Sequence, residues 1–301
     1  MPHPEDLYRL DPDLPELDRP VLLHSLDGFV DAGSVGSQVR EQLFEHLPKR
    51  IIVTFDTDPL IDYRSRRPIM TFDRDHWSGY EPLSLVVYVM EDTAGTPFLL
   101  LTGPEPDVSW EAFTAAVRSL IERFDVRLTV GVHGIPMGVP HTRPIGLTPH
   151  ATRVELIEDY KPWLNKVQVP GSASALLELR LGEAGRDAVG FAVHVPHYLS
   201  QAEYPTAAVA ALEALEGVTG LRLPADDLRT AAEVTDREIR EQVEGSEEVA
   251  KVVTALEQQY DAYAGAADRE NLLADDAEMP TADELGAEFE RFLAERERKE
   301  P

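Results

Sequence analysis

Five acidic and histidine side chains stand just beyond predicted strands, where they could take part in proton transfer. Asp27 and Asp31 follow the first strand, and Glu105 follows a later one. His141 and His197 each lie beyond another strand. Because a carboxylate and an imidazole placed beside a substrate can act as general acid and base, these five residues are the candidate catalytic groups.

Three arginines in similar positions could hold an anionic substrate. Arg64 and Arg67 belong to the run Asp-Tyr-Arg-Ser-Arg-Arg-Pro, and Arg143 belongs to Val-Pro-His-Thr-Arg-Pro. In open parallel sheets, ligands bind outside the carboxyl ends of the strands. We therefore expect these eight residues to share one edge of the sheet, here named the strand-end rim. The alternative, which the residue types favour, is a structural rim in which aspartates cap helices and arginines pair with acids.

No complete catalytic signature accompanies these residues. Gly28 and Gly33 have the spacing that opens a phosphate-binding loop, but Ser34 stands where its lysine belongs and Val35 where its hydroxyl residue belongs. The chain also has no Gly-x-Ser-x-Gly elbow. The sequence therefore does not assign a specific reaction to the candidate residues.

Three histidines are the candidate ligands for a metal ion. His141, His194 and His197 could ligate one ion together. Alternation along the strand, however, predicts that His194 is buried, and no His-Glu-x-x-His helix supports the set. We expect neither a metal nor a cofactor.

The composition of the 301 residues excludes several classes of protein. The chain has no cysteine, which rules out disulfides, zinc–thiolate sites, iron–sulfur clusters and cysteine nucleophiles. A formal net charge of −27 argues against nucleic-acid binding, which needs cations facing phosphates. There is no secretory signal pattern, and the apolar runs are far shorter than the roughly 20 residues of a membrane-spanning helix. We expect a cytoplasmic protein that binds neither nucleic acid nor membrane.

Short buried strands alternate with amphipathic helices over residues 1–224. Predicted strands cover 21–26, 50–55, 84–90, 97–101, 127–132 and 188–195. Predicted helices cover 33–47, 110–124, 172–181 and 206–215. Since only the strands at 84–90 and 97–101 are close enough to form a hairpin, the pattern predicts a mostly parallel, mixed sheet in a three-layer α/β/α domain.

The remaining residues are helical and acidic. Two apolar stripes separated by Gly245 and Ser246 predict a helical hairpin over residues 225–265. Residues 266–301 contain 12 acids and 5 bases and are interpreted as an acidic linker with a short amphipathic helix. Its apolar face is the candidate partner-binding surface, and it either folds back on its own domain or docks on another chain. That face comprises Leu285, Phe289, Phe292 and Leu293.

Five motifs occur in an order that resembles the bacterial branch of the proteasome assembly chaperone 2 family. They are Asp-Ala-Gly after the first strand, Asp-Tyr-Arg with Arg-Arg-Pro, Gly-Pro-Glu-Pro-Asp, Val-Pro-His-Thr-Arg-Pro and His-Val-Pro-His-Tyr. With the Glu-Phe-Glu-Arg-Phe-Leu helix near the end, the resemblance covers about residues 18–265 and that helix. It implies a phosphorylase/hydrolase-like α/β/α core and a homo-oligomer, a trimer or tetramer.

The resemblance also implies a function. Eukaryotic relatives help to assemble proteasome α-rings, and some archaeal relatives bind the proteasome through a C-terminal hydrophobic-Tyr-any motif. This chain ends Glu-Arg-Lys-Glu-Pro, so docking through such a tail is not expected. We expect a non-enzymatic, chaperone-like assembly or scaffold protein with protein partners, proteasome subunits among them. The alternative is a small-molecule hydrolase or nucleoside-phosphorylase-like enzyme that uses the strand-end rim.

Overall fold

The computed structural model describes residues 4–28, 30–160 and 166–267, with side chains to residue 263. Its strands are β1 (Tyr8–Leu10), β2 (Val21–Asp27), β3 (Lys49–Phe55), β4 (Ile69–Asp73), β5 (His76–Glu81), β6 (Val86–Glu91), β7 (Pro97–Pro104), β8 (Leu128–Met137), β9 (Leu147–Ala151) and β10 (Ala188–Pro196). Its α-helices are α1 (Val35–His46), α2 (Trp110–Arg123), α3 (Ala173–Glu183), α4 (Pro205–Thr219), α5 (Asp226–Glu244) and α6 (Glu247–Ala267).

Eight strands form one mixed sheet in the order β1-β3-β6-β7-β2-β8-β10-β9. The four central strands, β7, β2, β8 and β10, run parallel, and the flanking pairs are antiparallel. The mixed sheet is therefore as predicted, with its parallel part at the centre. This arrangement brings the carboxyl ends of four strands to one edge.

Helices cover both faces of the sheet. Leu23 of β2 packs in a core with α1, α4 and α5, whereas its neighbour Leu22 packs in a second core with α2 and α3. Neighbouring residues of a strand point to opposite faces, so an apolar strand such as β2 supplies both cores at once. The predicted three-layer α/β/α architecture is confirmed.

Two strands, β4 and β5, form a separate hairpin between β3 and β6. The sequence analysis did not predict them. Five large apolar side chains of this hairpin are 50–65% exposed, so the usual alternation of buried and exposed residues is missing. They are Ile69, Met70, Phe72, Trp77 and Tyr80.

The edge strand β9 was also not predicted. It contains Pro149, which pairs with Phe191 of β10 at the outer edge of the sheet. Proline cannot donate a ladder hydrogen bond, and it is tolerated here because β9 has a neighbour on one side only.

The predicted helical hairpin corresponds to α5 and α6. The turn between them contains Gly245 and Ser246, and the Ser246 hydroxyl accepts a 3.4 Å hydrogen bond from the amide of Val249. The described residues up to 257 belong to one compact unit, and those from 258 to 267 belong to a second. The domain boundaries expected at residues 224 and 265 stay predictions. Leu285, Phe289, Phe292 and Leu293 lie outside the described residues.

Among the described helices, none combines the length and apolar character needed to cross a membrane.

Candidate functional site

Asp31 caps the first turn of α1 and ties it to β8. One carboxylate oxygen accepts hydrogen bonds from the amides of Gly36 (2.9 Å) and Gly134 (3.1 Å). The other accepts one from the amide of Ser37 at 3.1 Å. The two oxygens together accept hydrogen bonds from three backbone amides. A negative charge at the N-terminus of a helix is also favourable. In this structure Asp31 holds the loop after β2 in place.

Glu105 has a comparable role at α3. Its side chain is buried, and Oε1 accepts a 2.6 Å hydrogen bond from the amide of Ala173, the first residue of the helix. A Cβ atom at Gly28 would lie 2.6 Å from Glu105 Oε2, so the glycine leaves room for this carboxylate. Asp27 is adjacent and forms a 2.5 Å ion pair with Arg40 of α1. The three acids of the strand-end rim thus contact helices or backbone groups.

His141 and Tyr198 form a hydrogen-bonded pair at the rim. The His141 amide donates to Tyr198 Oη at 2.9 Å, and Nδ1 of the same histidine lies 2.8 Å from that oxygen. Burial lowers the pKa of His141 and raises the pKa of Tyr198. A neutral imidazole that accepts the phenol proton at Nδ1 fits both shifts. His197 is exposed and packs edge to face on the Tyr198 ring, with centroids 5.4 Å apart.

Arg143 connects the same loop to α6. Its guanidinium lies 3.3 Å from Glu257 Oε1, and the neighbouring Thr142 hydroxyl donates to that oxygen at 2.5 Å. On the adjoining helix, Asp236 accepts a 2.9 Å hydrogen bond from the Thr206 hydroxyl at the start of α4. The α5–α6 pair is therefore joined to the rim by polar contacts, at the side that carries His141.

The other two candidate arginines do not contact this group. Arg64 is exposed and pairs with Asp62, two residues away, at 3.0 Å. Arg67 is also exposed. It is Arg66, which the sequence analysis did not single out, that reaches a strand-end loop, through a 3.4 Å ion pair with Asp107. Spacing alone could not choose among three arginines in a run of four residues.

The rim therefore consists of separate groups. Asp27, Asp31 and Glu105 anchor helices, His141 and His197 contact Tyr198, and Arg143 contacts Glu257 of α6. Tyr198 was missed as a site residue, although it directly follows His197 in the Val-Pro-His-Tyr run. A signal was present: a tyrosine beside a histidine at a strand end offers a second hydrogen-bonding side chain.

The three histidines considered as a metal set do not converge in the described residues. His194 is buried, as alternation predicts, and its Nε2 lies 2.7 Å from Thr148 Oγ1. Within residues 4–28, 30–160 and 166–263, one group has three donor atoms all within 4.8 Å of one another. That group is Glu45, His46 and Asp227, all exposed, on the surface where α1 ends and α5 begins.

The chain is similar to two solved proteins of unknown function from actinobacteria. Rv2714 of Mycobacterium tuberculosis shares 48% identity, with a TM-score of 0.82 over 88% of this chain and 92% of that one. A protein from Corynebacterium glutamicum shares 39% identity, with a TM-score of 0.80 over 85% and 97% of the two chains. These likenesses extend over most of each molecule.

More distant structures share the fold. The M. tuberculosis proteasome-assembly chaperone homologue Rv2125 is 24% identical, with a TM-score of 0.71 over 77% of this chain and 99% of that one. Pyrococcus furiosus PbaB, an archaeal proteasome activator, is 16% identical, with a TM-score of 0.59 over 78% and 98%. No curated protein matches the sequence. The model of the PAC2 family matches residues 25–243, which confirms the resemblance found in the motifs, and the chain belongs to the PAC2 family.

Proposed function

We propose that the protein is a non-enzymatic, chaperone-like protein that acts through contacts with other protein chains. The observation that carries this proposal is the exposed apolar surface of the β4–β5 hairpin, here named the hairpin surface. It consists of Ile69, Met70, Phe72, Trp77 and Tyr80.

The hairpin surface is unusual for a water-facing element. Its five large apolar side chains are each at least half exposed, and the rings of Phe72 and Trp77 pack only edge to face on each other. Contiguous exposed apolar patches mark interaction sites, and an isolated two-stranded hairpin is marginally stable in water. A partner chain covering this surface would remove apolar area from water and stabilise the hairpin.

The hydrogen bonds and ion pairs of the acidic residues in the strand-end rim favour the same interpretation. Asp31 and Glu105, two of the candidate proton-transfer groups, accept hydrogen bonds from backbone amides at the ends of helices. Asp27 pairs with Arg40. Carboxylates engaged in this way hold structure together, so a catalytic role for them has no geometric support.

Membership of the PAC2 family suggests the class of partner. Two structures that share the fold are a proteasome-assembly chaperone homologue and an archaeal proteasome activator. We extend that association to this chain as part of the proposal: its partners are copies of itself, in a trimer or tetramer, and proteasome subunits. No tyrosine-containing C-terminal motif is needed if the body of the protein supplies the contact.

The proposal is tested with a variant that changes only the hairpin surface. Phe72→Ser combined with Trp77→Ser removes the aromatic pair, and Val154→Ser with Leu179→Ser is the matched control because both residues are exposed elsewhere. Association is measured as molar mass by light scattering after size-exclusion chromatography. Each protein is run with and without purified proteasome α subunits. We expect the hairpin variant to lose association that the wild type and control retain. Equal masses for all three proteins, with circular dichroism showing intact folds, would contradict the proposal.

The alternative, a hydrolase or nucleoside-phosphorylase-like enzyme, rests on one observation. His141, whose pKa is lowered by burial, and Arg143 belong to the same strand-end loop, so this loop carries both an imidazole and a guanidinium. Thermal-shift titration with nucleosides and inorganic phosphate distinguishes the readings. A ligand that stabilises the wild type and not the His141→Ala, Arg143→Ala variant would favour the enzyme.

A further inference from the structure

Three histidines and a glutamate lie together on the α3 face of the sheet, away from the strand-end rim. His24 belongs to β2, His133 to β8 and His150 to β9, and Glu178 belongs to α3. His24 follows Leu22 by two residues and so shares its face, the one covered by α2 and α3. All four residues are partly buried.

Two of these histidines occupy opposite ends of one row across four strands. His24 is the register partner of Gly131, Gly131 of Gly190, and Gly190 of His150. The row therefore reads His-Gly-Gly-His across β2, β8, β10 and β9. The two glycines stand side by side at the centre, with an imidazole on either side.

Both imidazoles lean inward over the glycines. Nε2 of His24 lies 2.6 Å from the place that a Cβ atom at Gly131 would take, and Nε2 of His150 lies 2.6 Å from the corresponding place at Gly190. Adjacent strands are about 4.8 Å apart, so the two nitrogens occupy neighbouring positions on the sheet. Any larger residue at either glycine would displace a ring.

Glu178 fixes the orientation of one ring. Its Oε2 lies 2.7 Å from Nδ1 of His150. A carboxylate that accepts a proton at Nδ1 leaves Nε2 as the lone-pair donor, and the same second contact orients metal-bound histidines in many proteins. His133 stands two residues beyond Gly131 on the same face and completes the cluster.

We propose that His24, His133 and His150, positioned by Glu178 and by the Gly131–Gly190 pair, bind a divalent transition metal ion such as Zn²⁺. Imidazole nitrogens are preferred zinc ligands, with the carboxylate either oriented behind His150 or joining the coordination. The absence of cysteine from the chain makes a histidine-rich site the chemistry available to it. The sequence analysis expected no metal, because it considered only His141, His194 and His197 and found no His-Glu-x-x-His helix to support them.

Binding requires the rings to move closer. Two nitrogens on one zinc ion lie about 3.3 Å apart for bonds of 2.0–2.1 Å, which is less than a strand spacing. The donor atoms of the cluster do not all lie within 4.8 Å of one another, so His24 and His150 must rotate about their side-chain bonds toward one another across Gly131 and Gly190. The exposed Glu45, His46 and Asp227 group is the competing site that the experiment must separate.

Isothermal titration of the full-length, chelator-treated protein with Zn²⁺ tests the proposal. His24→Gln and His150→Gln remove one donor each, and His46→Gln is the matched control because it disables the competing group. We expect saturable binding of one ion that weakens at least tenfold in the first two variants and is unchanged in the third. Glu178→Gln, a change on the outer helix, should weaken binding by about tenfold as well.

Other results would overturn the proposal. They include the absence of saturable Zn²⁺ binding to the wild type and binding that is lost in His46→Gln but kept in His24→Gln. If circular dichroism shows that a histidine variant does not fold, the proposal is tested with Glu178→Gln instead. An unchanged Zn²⁺ affinity in that variant would contradict the assigned site. Co²⁺ titration provides an independent readout, since coordination by histidine gives visible absorption that the His46→Gln variant should retain.

Discussion

The rings of Phe72 and Trp77 pack edge to face, with centroids 5.0 Å apart, on a hairpin that pairs with no other described strand. Within a core, such a pair would be surrounded by other apolar side chains. Here both rings are more than half exposed. Because a second protein chain that covered these rings would remove apolar surface from water, the proposed function is centred on protein contacts at the hairpin surface.

Replacing Asp31 with alanine should destabilise the fold rather than abolish a reaction. The change leaves the amides of Gly36, Ser37 and Gly134 without their acceptor, and loss of a helix cap costs about 1–2 kcal/mol. Urea unfolding measures the loss. Asp31→Asn, which keeps an oxygen acceptor, should be less destabilising. Unchanged stability in Asp31→Ala would return this residue to the list of functional candidates.

A double-mutant cycle should show that Gly28 and Glu105 are coupled. In the wild type, Gly28→Ala places a methyl group 2.6 Å from Glu105 Oε2 and should cost about 1–3 kcal/mol through overpacking. In the Glu105→Ala background the same change should cost much less, because the obstructing carboxylate is gone. Unfolding free energies of the four proteins give the coupling. Equal costs in both backgrounds would exclude the contact.

Stability should fall between about pH 6.5 and pH 4 because of His194. Burial lowers the pKa of this histidine from 6.5 to about 4. Between these pH values His194 binds a proton in the unfolded chain and stays neutral in the folded chain. Protonation thus favours the unfolded state as pH falls, by roughly 3 kcal/mol at full effect, whereas above pH 6.5 the contribution vanishes.

The control for this pH effect is His194→Gln, which cannot take up the proton. Urea unfolding of both proteins is measured at pH 7.5 and pH 4.5. Because acidic side chains that titrate in this range are present in both proteins, the difference between the proteins reports His194 alone. The stability difference between the two pH values should be smaller in the variant. Identical pH dependence in both proteins would show that His194 is not held neutral by burial.

Glu257→Gln should loosen the first half of α6, because it removes a charge at the middle of the helix. Thr142 and Arg143 both contact the Glu257 carboxylate, and a partly exposed ion pair contributes about 0.2–1 kcal/mol. Hydrogen exchange of the amides in residues 247–257 should become faster, while exchange in β8 stays unchanged. Glu248→Gln, on the same helix and without a described contact to this loop, is the control. Equal exchange in both variants would count against the anchoring role.

The core of the fold follows closely from the sequence pattern. Runs such as 21–26 and 188–195 are mostly apolar, as expected for strands covered on both faces, and helices such as α1 show a four-residue apolar period. Elements without such a pattern were missed. The strands of the hairpin surface are exposed on both faces, and β9 carries a proline at the sheet edge.

The candidate sites were harder to predict because they depend on strand register. Asp31 lies where the sequence placed it, yet only the structure shows that its oxygens accept backbone hydrogen bonds. His24 and His150 are 126 positions apart, and the order β2-β8-β10-β9 puts them in one row. Local periodicity contains no information about which strands become neighbours.

The most direct test of the central claim asks what covers the hairpin surface in the cell. A photoreactive p-benzoylphenylalanine is placed at position 77, and at position 154 as a control of similar exposure. After irradiation, cross-linked products are identified by mass spectrometry. We expect position 77 to cross-link strongly to defined protein chains, copies of this chain or proteasome subunits, and position 154 to cross-link weakly. Equally weak cross-linking at both positions would contradict a function based on this surface.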